Sequence, residues 1–105
     1  MAYHAEGEIA EISIGGENDQ IGVRLVPSPD SIHRDGDTEK VLLMGEAESL
    51  LKPREEFEKM VFLIGKHIPP EILVLCRNNR NRMRVMFELG TDLNTPISVT
   101  MLTIR

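Results

Sequence analysis

The sequence predicts a mainly β domain organised around one central helix, and three observations carry that prediction. Apolar and polar residues alternate with a period of two through most of the chain, the pattern of half-buried strands. Clusters of Gly, Pro, Asn and Asp separate these segments, where turns need positive φ or a missing donor. A single stretch, 53–65, has the 3.6-residue period of a helix: Phe57, Met60, Val61 and Ile64 fall at i, i+3, i+4 and i+7. An antiparallel barrel enclosing the helix is the favoured arrangement, and an α+β sheet with one helix packed across it is the alternative.

Taken in order, residues 1–6 carry no pattern and read as a loose N-terminal arm. From Gly7 the chain alternates, with Ala10, Ile12 and Ile14 on one face and Ile9, Glu11 and Ser13 on the other. The "GGENDQ" segment at 15–20 reads as a turn into a second strand lined by Ile21, Val23 and Leu25, which Pro27 ends. Residues 28–39 are polar and rich in turn formers, so they read as a long loop. Lys40 to Met44 is a short strand, and Glu48 to Leu51 is either a helical turn or a separate short piece.

The helix has conventional boundaries. Pro53 suits the first turn, Glu55 and Glu56 lie near the positive end of the dipole, and Gly65 before Pro69-Pro70 suits the stop. After it, Ile72 to Cys76 is a continuous apolar run of strand length, read as buried on both faces. "RNNRNR" at 77–82 reads as a hairpin tip, and Met83, Val85, Phe87 and Leu89 line the returning strand. After a turn at 90–96, the last strand sets Ile97, Val99 and Met101 on one face against Ser98, Thr100, Leu102 and Ile104 on the other.

This order of three strands, a helix and a hairpin resembles the five-stranded OB-type barrel, in which a helix plugs the barrel between the third and fourth strands. The stretch "EKMVFLIGKHIPPEILVL" is similar to the corresponding part of small bacterial OB-like domains, including toxin B-subunit-like proteins that form rings. The resemblance is topological, spans about Gly7 to Leu89 and rests on no diagnostic motif, and the strand after Gly90 departs from the five-strand pattern. It implies a binding surface at the loop joining the last two barrel strands, and keeps a ring-forming assembly open.

At 105 residues the chain is expected to form one domain. An apolar fraction of 41% with 28% charged residues is ordinary for a globular protein. The longest apolar runs fall far short of the ~18 residues of a membrane span, and the N-terminus has neither a basic start nor an apolar block, so a cytoplasmic location without membrane contact is expected. The net charge of −5 argues against generic binding to nucleic acid.

The residues bearing chemistry are few. Arg77, Arg80, Arg82 and Arg84, with Arg24, are the candidate ligand-binding set, because guanidinium groups match phosphate and carboxylate. An exposed hairpin tip kept soluble by charge is the simpler reading. Single-stranded nucleic acid would also want aromatic platforms, and only Phe62 is left for that once Phe57 and Phe87 are assigned to the core and Tyr3 to the arm.

Asp30, His33, Asp35 and Asp37 share one loop without the spacing of a calcium site, so no metal or other cofactor is expected. Cys76 is the sole cysteine and sits in an apolar run, where it reads as a small hydrophobe. No nucleophile with a base, and no glycine-rich phosphate loop, argues for an enzyme. The expected function is therefore a non-enzymatic binding or assembly module. Self-association through Ile97, Val99, Met101, Leu102 and Ile104 is the leading reading, and an anionic ligand on the arginine hairpin 77–84 the alternative. The acidic residues Glu6, Glu8 and Glu11 are a possible contact for the arginine hairpin of another copy.

Overall fold

A computed structural model describes residues 2–14, 21–64, 69, 71, 74–75, 78, 83–90 and 92–104. Among these residues the chain is a small, antiparallel, β-rich domain in which a short helix packs on an eight-stranded sheet. The strands are β1 (Tyr3–Ile14), β2 (Ile21–Pro27), β3 (Ile32–Asp35), β4 (Thr38–Gly45), β5 (Leu50–Pro53), β6 (Phe62–Ile64), β7 (Met83–Leu89) and β8 (Pro96–Ile104), with helix α1 (Arg54–Lys59) between β5 and β6.

β1 organises the sheet. Its first half pairs with β7, its second half with β2, and Tyr3 and His4 also meet the end of β4. The expected loose arm is therefore a strand: residues 3–6 carry ladder partners on β7, and Ala5 is fully buried. A short run with one small apolar residue shows no periodicity by itself, and it is ordered by the strand beside it. Within β1, Ile9 opposes Leu25 while Glu11 opposes Arg24, so Ala10 is an extra residue in a bulge. That bulge lets Ile9 be buried and Ile12 still pack against the core, whereas strict alternation puts them on opposite faces.

The expected loop at 28–39 is ordered too. Ser28 is buried and its N–H donates to Glu6 O at 3.2 Å; Pro29–Ser31 form one 3-10 turn. β3 and β4 then make a hairpin in which Asp35 opposes Thr38. Gly36, at φ 65°, supplies the left-handed residue of its two-residue turn, and the Thr38 hydroxyl donates to Asp35 O at 2.7 Å. Three of the four β3 residues are exposed, and such a strand has no apolar alternation to reveal it.

The core helix is shorter than the predicted 53–65. Pro53 belongs to β5 and precedes α1, which stops at Lys59; Met60 is already extended. Phe62, Leu63 and Ile64 pair with Val23, Gly22 and Ile21 as β6. Phe62 and Ile64 are buried with Leu63 half-buried between them, a period of two in a run whose spacing also satisfied 3.6. Pairing with the exposed edge of β2 settles which period holds.

Ile72 to Cys76 is not the expected two-sided buried strand. Of its residues Val74 and Leu75 are described; both are helical, like Glu71 and Asn78, and Val74 is 57% exposed. Short apolar runs do not distinguish strand from helix. The hairpin that follows α1 and β6 is consequently β7–β8, and the OB-type element order is not reproduced as read. The sheet is not closed, although Leu63 N–H donates to Asn94 O at 2.8 Å, so β6 touches the β7–β8 turn through one bond instead of a ladder.

The core lies on one side of the sheet. Met83, Val85, Phe87 and Leu89 are fully buried from β7, and Val23, Leu25, Val41 and Leu43 face the same cluster. Phe57 from α1 meets Phe62 edge-on at 6.1 Å between ring centroids, and Phe62 meets Phe87 at 5.2 Å. This three-ring chain ties the helix to β6 and, through it, to β7. Phe62 is thus a core residue with no face free for a base.

Candidate binding and assembly surface

Of the predicted ligand-binding arginines, Arg24 and Arg84 are described, and each is paired with a carboxylate. Arg77, Arg80 and Arg82 lie outside the described residues. Arg84 projects from β7 opposite Glu8, and its guanidinium pairs with Glu6, with Nε 2.8 Å from Glu6 Oε1 and 3.1 Å from Ser28 Oγ. Asp30 approaches the same guanidinium at 3.6 Å. Arg24 pairs with Glu11, its ladder neighbour across the β1 bulge. Glu6 and Glu11 are therefore matched within the molecule, which redirects the expected use of the acidic face of β1. These pairs are partly exposed and worth about 0–1 kcal/mol each; their consequence here is charge neutralisation.

A cleft of about 710 Å³ lies between β2, the tip of the β3–β4 hairpin and α1. Arg54, at its rim, donates from Nε to Glu58 at 2.7 Å and from Nη1 to Glu39 at 2.9 Å. The hydrogen bonds it donates to Glu58 first and Glu39 second raise the Arg54 pKa above its already high ordinary value, so this guanidinium is always charged and already matched. Sequence reading missed the cleft because its walls come from four separated segments, at Ala10, 24–26, 37–39 and 53–59. The i,i+4 spacing of Arg54 and Glu58 was the one available signal. Asp30, His33, Asp35 and Asp37 sit in and beside the β3–β4 hairpin, and among the described residues no group of three or more His, Cys, Asp or Glu is placed to hold a metal ion. No described helix is long and apolar enough to cross a membrane.

The C-terminal strand is the more distinctive surface. β8 has β7 as its ladder partner and, among the described residues, no strand on its other edge. Its register contains two bulges. Leu89 opposes Pro96 while Glu88 opposes Ser98, so Ile97 is extra; Val85 opposes Met101 while Arg84 opposes Thr103, so Leu102 is extra. The bulges revise the expected two-sided apolar strand. Val99 and Met101 oppose the core residues Phe87 and Val85, whereas Ser98 and Thr100 oppose Glu88 and Met86 on the outer side, where the Ser98 hydroxyl donates to Glu88 at 3.0 Å. Ile97 and Leu102, the bulged residues, are left 51% and 40% exposed, and Met101 is 40% exposed. Ile104 opposes Met83 at the end of the ladder.

The turn before β8 is firmly built. Asp92 accepts from the Thr95 hydroxyl at 2.7 Å and from the Asn94 N–H at 2.9 Å. The Thr95 bond foremost, then the Asn94 N–H, holds the Asp92 carboxyl below its ordinary 3.8.

No protein-family model, curated protein or solved structure matches this chain.

Proposed function

We propose that this protein is a small, non-enzymatic assembly module that self-associates through its C-terminal strand. One observation carries the reading: β8 is partnered on one edge alone among the described residues, while Ile97, Met101 and Leu102 are exposed on it. Natural proteins guard open edges with charge, proline, bulges or a covering partner. From Ile97 to Ile104 the strand has neither a charged residue nor a proline, and its bulges at Ile97 and Leu102 leave the run 98–101 between them regular, an edge that a partner strand can cover. The Leu63–Asn94 contact and the branching of β1 between β7 and β2 also suit a barrel-like, OB-related arrangement with β8 at its rim. The arginine reading has less support, because Arg24 and Arg84 are neutralised by Glu11 and Glu6.

Light scattering tests the proposal. The intact chain at tens of micromolar is expected to be an oligomer, and Ile97→Lys/Leu102→Lys a folded monomer. A monomeric intact chain would overturn it.

A further inference from the structure

Resting on that reading, the register of β8 points to one mode of association: we infer that two copies pair antiparallel, edge to edge, about a two-fold axis at Thr100. The direction of the backbone groups comes first. Gly90 N–H donates to Thr95 O across the β7–β8 turn at 3.4 Å, so on β7 the residues of Gly90's parity, Glu88 and Met86, turn their N–H and C=O groups toward β8. The other side of β7 agrees. Ser28 N–H donates to Glu6 O, which commits Glu6 to the β2 side and leaves Ala5 and Gly7 to bond Phe87 and Val85. Glu88 and Met86 oppose Ser98 and Thr100, so Ser98 and Thr100 bond inward, and Val99 and Met101 direct their N–H and C=O groups to the open edge.

Between the bulges at Ile97 and Leu102, Ser98 to Met101 is the regular part of that edge. An antiparallel copy centred on Thr100 sets Val99 against Met101 of the second copy, and the reverse. Each of these pairs exchanges both backbone bonds. Thr100 meets Thr100 on the axis as a non-hydrogen-bonded pair, a favourable cross-strand combination. The apolar pair lies on the core side, where Val99 and Met101 continue the row of Phe87 and Val85. No charge opposes a like charge, because 97–104 contains none. The bulges also select the register, since here both hydrogen-bonded pairs fall on Val99 and Met101 between the bulges, whereas sliding the copies by two residues carries those pairs onto Ile97 or onto Thr103 beyond the second bulge.

The test uses cysteine pairs in a Cys76→Ser background. Residues opposed in a non-hydrogen-bonded pair have Cα atoms about 4.5 Å apart, within disulfide range. Two copies of residue 98 in this register are four positions apart, roughly 13 Å, which is beyond it. Thr100→Cys is therefore expected to give at least about tenfold more cross-linked dimer under mild oxidation than Ser98→Cys. Amide exchange on the unmodified chain, which requires no cysteine, is expected to show Val99 and Met101 protected at high concentration and exposed on dilution. An oligomer broken by Leu102→Lys, but with no Thr100→Cys cross-link and unprotected Val99 and Met101 amides, overturns the edge pairing while leaving strand-mediated association standing. Protected amides in a monomer mean that the chain covers its own edge. That result, like a plain monomer, overturns both.

Discussion

Replacing Phe62 with alanine probes the junction on which this fold depends. Phe62 is fully buried, lies on β6 beside β2, and contacts Phe57 and Phe87 edge-on at 6.1 and 5.2 Å. Truncating a buried phenylalanine costs about 3–5 kcal/mol from lost transfer energy and the residual cavity. Each edge-to-face pair adds about 0.5–1.5 kcal/mol beyond area burial, and this ring makes two of them, so the upper part of the range is expected. A domain of this size has a total stability of roughly 5–15 kcal/mol, so the variant should sit close to the edge of folding. Urea titration of the wild type, Phe57→Ala, Phe62→Ala and the double variant gives both the cost and the coupling. The double variant should be less destabilised than the sum of the single ones by about 0.5–1.5 kcal/mol, the interaction of rings in contact. A loss under about 1 kcal/mol for Phe62→Ala would refute its burial, and additivity within about 0.3 kcal/mol would refute the contact between α1 and β6.

Two further perturbations test other parts of the structure. A Cβ at Gly7 would overlap the backbone oxygen of Val26 on the neighbouring strand, so Gly7→Ala should cost about 1–3 kcal/mol through overpacking; a thermal melt identical to wild type would place β1 further from β2. Asp92, with its folded pKa held below 3.8 by Thr95 and Asn94, contributes stability that is present above the unfolded value and lost as pH falls through the folded one. Asp92→Ala should therefore destabilise at neutral pH, with the gap to wild type closing in acid below 3.8. A gap that stays constant with pH would remove the carboxylate from the turn.

How far the sequence alone determined this protein follows from which signals were local. The strict alternation of Met83 to Leu89 predicted both β7 and its four buried residues, because a period of two over seven positions leaves one face to bury. Ile21 to Pro27 and the central Phe57 were legible for similar reasons: a proline stop ends β2, and an apolar residue sits between acidic ones on α1. Tertiary structure decided the rest. Met60 to Ile64 satisfies helical and strand spacing alike, and the open edge of β2 chose the strand. Residues 3–6 and β3 have too few apolar residues to announce a strand, and are ordered by ladders to β7 and β4. The bulges at Ala10, Ile97 and Leu102 leave no mark in residue type, yet each reassigns every later side chain to the other face; they turned the apparent two-faced strand β8 into one with an inner apolar row and two exposed bulge residues. The sequence likewise named Arg24 and Arg84 as cations, but whether a cation meets a ligand or a carboxylate depends on which strands lie side by side. Here β1 brings Glu11 and Glu6 against them.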